Sequence, residues 1–313
     1  MVGIESQASA TGTPGAVSDS GMDSPSGSVI GLLHPGEMGA AIGRCLTSGG
    51  YTVLWASEGR GPQTAARARA ARLTDAGTAA EIAERAEVIL SICPPHAALD
   101  VAWSLQGFGG LFVDANAISP ATAREVALMV EEGGATYVDG GIIGPPPAAP
   151  ASPATDGRTR LYLSGDLARA VQVLFDGTRV DARVIDGGSW SASTIKMAYA
   201  AWTKGSAALL LAARALARTE GIEDALLAEW ALSAPSLADR SRSAARSATW
   251  KGWRWVAEME EVAASMAAAG LPDGFHQAAA EIFRRSPHAE PDHLADEAVD
   301  QVLSAITGEG IRG

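Results

Sequence analysis

Two hydrophobic patterns alternate between residues 29 and 185, and this alternation restricts the possible folds more than any other property of the sequence. Short continuous apolar runs, such as Val29–Leu33 and Val88–Ile92, are separated by segments with helical spacing, such as Glu37–Ser48. Strands that are apolar on both faces are typical of a parallel sheet covered by helices on both sides. We therefore predict an α/β domain with a parallel sheet for this part of the chain.

The same patterns give the bounds of the individual elements. The predicted strands are Val29–Leu33, Thr52–Trp55, Val88–Ile92, Leu111–Ala115, Thr136–Val138, Leu161–Ser164 and Arg183–Ile185. The predicted helices between them are Glu37–Ser48, Pro62–Ala71, Thr78–Ala86, Ala121–Glu132 and Asp166–Phe175, and a Pro/Ala-rich loop spans residues 144–160. From residue 191 onward every segment is helical, with a first helix at Ser191–Thr219 and breaks at residues 221–222, 234–235, 270–272 and 286–287.

Composition excludes several classes of protein. The chain has 24 Lys and Arg residues against 36 Asp and Glu, a formal net charge of −12, so we predict no nucleic-acid partner and no anionic membrane surface. Cys45 and Cys93 are too few for a disulfide framework or a zinc site and indicate a reducing compartment. No apolar run reaches the roughly 18 residues of a membrane span and no secretory signal is apparent, so a cytoplasmic location is expected.

A glycine-containing turn, GLLHPGEMG at residues 31–39, connects the first strand to the first helix. In the fingerprint G-x-G-x-x-G, the glycines permit a tight turn, close approach of a pyrophosphate and close packing of helix on strand. Gly36 and Gly39 occupy the second and third positions, and His34 occupies the first. The helix N-terminus that follows would bind the pyrophosphate through its free N–H groups and its dipole. The sequence context favours a dinucleotide-binding turn over a turn that binds nothing.

These observations predict the domain organisation. Residues 1–28 are mostly Gly, Ser, Pro and Thr and are expected to form a disordered tail. Residues 29–188 would form a dinucleotide-binding Rossmann domain, residues 189–306 a helical domain for substrate binding and dimerisation, and residues 307–313 a second tail. The predicted fold is an α/β Rossmann-type N-terminal domain plus an all-α C-terminal domain, joined by a long helix.

The residues after the second strand bear on the choice of cofactor. Ser57 stands where the discriminating residue is expected, and Arg60 follows three positions later. An acidic residue at this point would bind the ribose 2′-hydroxyl of NAD, whereas a small polar residue with a nearby Arg suits the 2′-phosphate of NADP. Ser57 and Arg60 therefore favour NADP. NAD remains the alternative, because Glu58 would also be able to reach a ribose.

The segment SASTIKMAYAAWTK, at residues 191–204, opens the long helix and contains a candidate catalytic pair. Lys196 is flanked by apolar and small residues, and a desolvated lysine releases its proton more readily than one in water. Tyr199 lies three positions later, on the same helix face. The alternative is that Lys196 extends to solvent and pairs with an acid.

The combined pattern resembles the β-hydroxyacid dehydrogenase superfamily, which includes 6-phosphogluconate dehydrogenase-like proteins. The resemblance extends over residues 29–306 and depends on GLLHPGEMG (31–39), SICPP (91–95), DANAISP (114–120), DGGIIG (139–144) and the segment around Lys196. The runs WKGWRWVAEMEE (250–261) and GLPDGFHQ (270–277) resemble a branch with a specialised C-terminal helical domain.

This resemblance implies hydride transfer between NAD(P) and a small-molecule substrate, in a homodimer whose long helices build composite active sites. It also implies that Lys196 is the general acid/base, with Tyr199 orienting the substrate or Lys196. The residues assigned to cofactor binding are His34, Pro35, Gly36, Glu37, Met38, Ser57, Arg60, Cys93, Pro94 and Asn116.

Several positions depart from the family pattern. The residues at these positions are His34 for the first motif glycine, Asn116-Ala117 for Ser-Thr, Ile143 and Pro145 for the Ser and final Gly of D-x-x-x-S-G-G, and Tyr199-Ala200 for an asparagine pair. These changes predict a more apolar pocket, suited to a bulkier or less anionic carbonyl compound or to an imine.

Three functions are therefore considered. The first is an NAD(P)-dependent oxidoreductase that interconverts an alcohol and a carbonyl. The second is an imine reductase or reductive aminase, which Tyr199 favours and retention of Lys196 opposes. The third is a non-catalytic NADP-binding sensor, suggested by the altered substrate motifs.

Overall fold

The computed structural model describes residues 27–148, 159–289 and 298–308. The predicted N-terminal tail lies outside these ranges except for its last two residues. Residues 149–158 of the Pro/Ala-rich loop and residues 309–313 of the predicted C-terminal tail also lie outside them.

Within the described residues, eight strands form one sheet in the first part of the chain. They are β1 (Val29–Leu33), β2 (Thr52–Trp55), β3 (Thr74–Asp75), β4 (Val88–Ser91), β5 (Leu111–Asp114), β6 (Thr136–Ile143), β7 (Thr159–Ser164) and β8 (Val180–Val184). Their order across the sheet is β3-β2-β1-β4-β5-β6-β7-β8. The strand order reverses at β1, which pairs with β2 on one side and with β4 on the other. A crevice forms outside the carboxyl ends of the strands at such a reversal, which is where ligands bind to open α/β sheets.

Helices pack on both faces of this sheet, and among the described residues only helices follow β8. Those of the first part are α1 (Glu37–Ser48), α2 (Pro62–Ala70), α3 (Ala79–Arg85), α4 (Ala98–Trp103), α5 (Pro120–Glu132) and α6 (Ala168–Val173). The later helices are α7 (Ser191–Thr219), α8 (Glu223–Ser233), α9 (Leu237–Ala268), α10 (Gly274–Arg285) and α11 (Ala298–Thr307). All four helix breaks predicted after residue 191 are confirmed. Thr78 is the N-cap of α3 and forms a capping box with Glu81.

The prediction of a parallel sheet is wrong at one pair of neighbouring strands, β6 and β7, and β8 follows the direction of β7. Strands β1 to β6 are parallel, but β7 runs antiparallel to β6, with Ser164 opposite Asp139. Parallel neighbours need a crossover connection that is usually helical, and the three consecutive prolines Pro145, Pro146 and Pro147 that follow β6 are unsuited to a helix. Strand β3 and helix α4 were not predicted, and β6 extends to Ile143 rather than ending at Val138.

Three apolar clusters form the core. One lies between the sheet and α1, α2 and α6, with Leu46 and Val171 fully buried. A second lies on the opposite face under α3, α4 and α5, and includes Val126. The third joins α7, α9, α10 and α11 around Leu211 and Phe283. Among the described residues, no helix combines the length and the apolar character that crossing a bilayer requires.

Candidate active site

The turn between β1 and α1 has the backbone geometry of a dinucleotide-binding turn. His34 adopts the left-handed conformation with φ of 64°, which glycine adopts most easily. The N–H group of Gly36 donates a hydrogen bond to the carbonyl oxygen of His34, at 2.7 Å. The tight turn of the fingerprint is therefore present although its first residue is a histidine.

The two glycines of this turn have different steric reasons to be glycine. A Cβ atom on Gly39 would lie 2.5 Å from the carbonyl oxygen of His34, so only glycine lets α1 pack this closely on the turn. A Cβ atom on Gly36 would meet no atom nearer than 4.0 Å, so the space in front of this residue is open. Close packing at one glycine and open space at the other match the roles of the third and second fingerprint glycines. The turn thus fits the pyrophosphate of NAD(P).

Charged and polar groups lie beside this turn. Burial, helped by the charge of Arg60, lowers the pKa of His34 to about 4, so its imidazole is neutral near pH 7. The Nδ1 atom of His34 is buried and has no hydrogen-bond partner among the described residues. Arg60 and Ser57 share a turn after β2, in which the Arg60 N–H group donates to the Ser57 carbonyl oxygen at 3.0 Å. Pro35 is buried, and its carbonyl oxygen accepts a hydrogen bond from Arg67.

Asn116 connects the loops that follow β4 and β5. Its Oδ1 atom accepts a hydrogen bond from the N–H group of Cys93 at 2.6 Å, and its Nδ2 atom donates to Ser91 at 3.0 Å. The amide of Asn116 is therefore occupied in shaping the site. Burial, followed by the charge of Asp114, raises the pKa of the Cys93 thiol to about 12, which keeps it protonated and unreactive. Pro94 precedes a short 3-10 helix, Pro95–Ala97.

Two residues of the sheet fix the start of α7. Asp139 on β6 accepts hydrogen bonds at 2.9 Å from the N–H group of Ser193 and from the hydroxyl of Ser164, and the Ser193 hydroxyl donates to its other oxygen. The Ser164 hydroxyl oxygen accepts the N–H group of Ala192 at 3.0 Å. These contacts give hydrogen-bond partners to N–H groups in the first turn of α7. The side chain of the N-cap residue, Trp190, provides none.

Gly141 allows the same helix turn to lie directly on β6. A Cβ atom at this position would be 2.5 Å from the carbonyl oxygen of Ala192 and 3.0 Å from the Cβ atom of Lys196. The backbone contact between β6 and α7 therefore determines where Lys196 lies.

Lys196 shares a buried carboxylate with a second lysine. The Nζ atoms of Lys196 and Lys204 lie 3.1 and 2.9 Å from the same oxygen, Oε1 of Glu258 on α9. Burial would raise the pKa of Glu258, but the charges of the two lysines outweigh it and lower that pKa to about 2. Burial also lowers the pKa of Lys204, against the opposing attraction of Glu258. With both lysines protonated, these three side chains, which we call the Lys-Glu-Lys triad, carry a net charge of +1.

A cleft of about 450 Å³ joins these parts at the crevice. Five residues predicted for the site line it: Met38, Cys93, Asn116, Lys196 and Tyr199. The other predicted residues do not line it; they lie on the β1–α1 turn and in the loops after β2 and β4, and they are His34, Pro35, Gly36, Glu37, Ser57, Arg60 and Pro94. Lys196 lines the cleft and pairs with an acid, but its side chain is only 14% exposed and does not extend to solvent as the alternative predicted.

Helix α9 supplies site residues that the sequence did not reveal. Trp255 lines the cleft, with Lys204 Nζ 5.7 Å from the centre of its ring, and Glu258 holds the two lysines. Lys204 stands eight residues after Lys196, a spacing that places both on one helix face. That spacing would have identified Lys204. Glu258 gives no such signal, because only the packing of α9 against α7 brings it to the lysines.

Helix α9 also contacts the sheet domain beside the cleft. Glu261 accepts hydrogen bonds from the N–H group of Ser119, at 2.7 Å, and from the hydroxyl of Thr122, at 2.8 Å. Ser119 is the N-cap of α5. Arg254 lies 3.8 Å from Glu37, the first residue of α1. Two turns of α9 thus touch the N-termini of two helices of the sheet domain.

Comparison with known families gives two matches. Residues 28–155 match the family described as the NAD binding domain of 6-phosphogluconate dehydrogenase. Residues 217–286 match a domain of unknown function (DUF1932). The dinucleotide-binding part of the chain belongs to this family of 6-phosphogluconate dehydrogenase-like domains. The predicted family is therefore confirmed for this dehydrogenase-like chain, and its DUF1932 match includes α9 and Glu258.

Solved structures share the fold of this 6-phosphogluconate dehydrogenase-like chain. A Mycobacterium tuberculosis 3-hydroxyisobutyrate dehydrogenase, solved with L-serine, has a TM-score of 0.63 at 19% identity, covering 91% of this chain and 99% of its own. MTH1747, a conserved protein of unknown function similar in structure to 3-hydroxyacid dehydrogenases, has a TM-score of 0.56 at 26% identity, covering 90% and 99%. A reductive aminase from Aspergillus terreus, in complex with NADPH4, cyclohexanone and allyl amine, has a TM-score of 0.50 at 18% identity, covering 90% and 99%. Comparison with curated proteins gave no significant match.

Proposed function

We propose that this protein is an NADP-dependent oxidoreductase that transfers hydride between the nicotinamide and a small carbonyl or hydroxy compound. The observation that carries the proposal is the position of Lys196. Its side chain lines the cleft at the carboxyl end of the sheet, together with Met38 from α1 and Asn116 from the loop after β5. A proton donor is therefore available beside the dinucleotide-binding turn.

Different side chains of the cleft have different roles in such a reaction. When bound, the nicotinamide would supply or accept the hydride. Lys196 donates a proton from Nζ to the substrate oxygen during reduction and accepts it during oxidation. Tyr199 lies one turn further along α7 and orients the substrate or Lys196. The apolar walls, including Ile142 and Trp255, limit access of water.

The charge of the site supports an anionic substrate. Among the described residues that line the cleft, two are lysines and none is acidic, and the Lys-Glu-Lys triad carries a net charge of +1. A substrate with one negative charge, such as an oxoacid or hydroxyacid, would compensate it. Lys204 thus supplies a cation that the altered substrate motifs lack, which argues against a neutral substrate.

NADP is the cofactor that we propose, with NAD as the alternative. Ser57 and Arg60 follow β2, where the ribose of the dinucleotide is expected. The influence of Arg60 on the pKa of His34 indicates that its charge acts close to the β1–α1 turn. The complex of the reductive aminase from Aspergillus terreus contains NADPH4, which supports the same choice.

Imine reduction or reductive amination is the second candidate. Tyr199 presents a phenol to the cleft beside Lys196, and a phenol would be able to protonate an imine nitrogen. The likeness in fold to the reductive aminase is in keeping with this alternative. A non-catalytic NADP-binding sensor is the third candidate.

We further propose a homodimer with composite active sites. Trp202, Leu209 and Leu216 are 68%, 53% and 67% exposed and lie seven residues apart on α7, which places them on one stripe. Leu232 on α8 is 83% exposed. A second copy of the chain would cover these side chains next to Tyr199. The net charge of −12 supports a small-molecule substrate rather than nucleic acid or a membrane, and a cytoplasmic location stays a prediction.

The decisive experiment measures NADPH oxidation with ketones, aldehydes and 2- or 3-oxoacids, with and without an added amine. We expect turnover of an oxoacid without amine, and a loss of kcat of roughly a hundredfold or more in Lys196→Met. Arg284→Met is the control, because Arg284 forms an exposed ion pair with Glu260 and does not line the cleft.

The other outcomes separate the candidates. Turnover only in the presence of amine, or turnover that is unchanged by Lys196→Met, would favour imine reduction. Tight binding of NADPH without turnover of any compound would refute the catalytic proposal and favour the sensor.

A further inference from the structure

The Lys-Glu-Lys triad is built across two parts of the chain. Lys196 and Lys204 lie on α7, and Glu258 comes from α9, within the region that matches the domain of unknown function. Both lysines contact the same carboxylate oxygen. The side chains of Lys196, Lys204 and Glu258 are only 14%, 16% and 9% exposed, so solvent screens these charges weakly.

We propose that Glu258 is a positioning residue, supplied by the C-terminal domain, that holds Lys196 and Lys204 as one charged unit and thereby sets the pH at which Lys196 exchanges its proton. The consequence for catalysis rests on the function proposed above. The electrostatic role of Glu258 does not depend on it.

The sequence of α7 explains why the partner of Lys196 comes from another helix. The positions one turn after Lys196 hold Tyr199 and Ala200, neither of which offers a carboxylate. Glu258 reaches Lys196 only because α9 packs along α7, around buried residues such as Met197 and Met259.

Contacts of α9 with the sheet domain fix the place of Glu258. Glu261 lies one turn after Glu258 and binds Ser119 and Thr122 at the N-terminus of α5. Helix α9 is therefore held against both α7 and the domain that carries the dinucleotide-binding turn. The carboxylate of Glu258 is placed by this packing rather than by flexibility of its own side chain.

The charges around Glu258 determine in which direction its removal would change the pH at which the two triad lysines release their protons. Lys196 and Lys204 act on it from α7. Lys251, on α9, repels Lys204, and His276 on α10 lies within 3.4 Å of the Ala201 carbonyl oxygen of α7. An opposite charge within about 4–6 Å changes a titration midpoint by about 1–3 pH units. Loss of the carboxylate charge would therefore make both triad lysines release their protons at lower pH.

The small number of lysines makes these changes in lysine titration directly measurable. Lys196, Lys204 and Lys251 are the only three lysines among its 313 residues. Protein labelled with carbon-13 at the lysine ε-carbon would therefore show three lysine signals in an NMR titration of the full chain. Lys196→Met and Lys204→Met would assign them.

Two substitutions should move these signals in opposite directions. In Glu258→Gln, which keeps the shape and removes the charge, we expect the two triad signals to titrate about 1–3 pH units lower. In Lys204→Met, we expect the Lys196 signal to titrate higher, because a repelling charge is removed and Glu258 is left to one lysine. The double variant Lys204→Met/Glu258→Gln should return the Lys196 signal close to its original midpoint.

Glu260→Gln is the matched control on the same helix. Glu260 lies two residues from Glu258 but forms an exposed ion pair with Arg284. This variant should leave the triad signals unchanged. Thermal unfolding and NADPH binding of every variant would show whether it is folded.

The outcomes separate this proposal from the proposed function. Unchanged triad signals in folded Glu258→Gln, or shifts of equal sign in Glu258→Gln and Lys204→Met, would overturn the role of Glu258 whatever the activity. If the wild type is active, the pH profile of kcat should shift with the Lys196 signal, and a profile that stays fixed would also overturn it. Opposite shifts in a protein without carbonyl turnover would uphold the electrostatic role and refute only the proposed reaction.

Discussion

Asp114 provides a test of how burial changes the pKa of a carboxyl group in the sheet that supports the site. It lies on β5 directly opposite Asp139 on β6, and both are about 1% exposed. Asp139 accepts hydrogen bonds from Ser164 and Ser193. Asp114 accepts one from the N–H group of Asn116, while its second oxygen has no well-formed hydrogen bond among the described residues. Burial, with a smaller contribution from the charge of Asp139, raises the pKa of Asp114 from 3.8 to about 7.

This raised pKa makes Asp114 lower the stability of the protein at alkaline pH. The folded-state pKa lies above the unfolded one, so the unfolded chain releases the proton first as pH rises. The contribution of neutral Asp114 is fully present below about pH 4 and is lost as pH rises through about 7. Between pH 5 and pH 8 the loss in free energy of unfolding is about 2–3 kcal/mol.

Substituting Asp114→Asn should remove this dependence. The amide keeps an acceptor for the Asn116 N–H group and cannot ionise. We expect the difference in free energy of unfolding between variant and wild type to shift in favour of the variant by about 2–3 kcal/mol from pH 5 to pH 8. Urea unfolding at several pH values measures it, and the exposed Asp186→Asn should show no such trend. A difference between Asp114→Asn and wild type that is independent of pH would refute the reasoning.

Two further predictions concern the cofactor and the assembly. Arg60→Ala should weaken NADPH binding by roughly tenfold, as loss of one charge-assisted hydrogen bond would do, and leave NADH binding unchanged; equal losses for both would contradict NADP selection. In sedimentation velocity the wild type should be a dimer and Leu209→Asp should be a monomer. The control Leu128→Asp changes a similarly exposed leucine on α5 and should remain a dimer. A monomeric wild type would refute the composite site.

Local signals predicted most of the sheet domain correctly. The bounds of β1, β2, α1 and α7 are those expected from apolar runs, from helical spacing and from Gly49 after the first helix. The direction of β7 was missed because no local pattern distinguishes a parallel from an antiparallel strand. The short strand β3, only two residues long, has too few residues to show a period.

Some residues of the candidate site could also be predicted from the local sequence, and others could not. The turn residues His34, Gly36 and Gly39 could be predicted from the sequence because the fingerprint depends on spacing within nine residues. Asn116 was identified, but its amide turns out to hold the backbone of Cys93. Glu258 was not identified, since it reaches Lys196 only through the packing of two helices.

The packing of α9 also changes how the altered family positions are understood. Considered along α7 alone, Tyr199 and Ala200 in place of an asparagine pair offer Lys196 neither an amide nor a carboxylate from its own helix. In the folded chain Glu258 occupies that role from α9, and Lys204 adds a positive charge on the same oxygen. The residues around Lys196 and helix α9 therefore build the charged part of the candidate site together, and the anionic substrate that we propose depends on both.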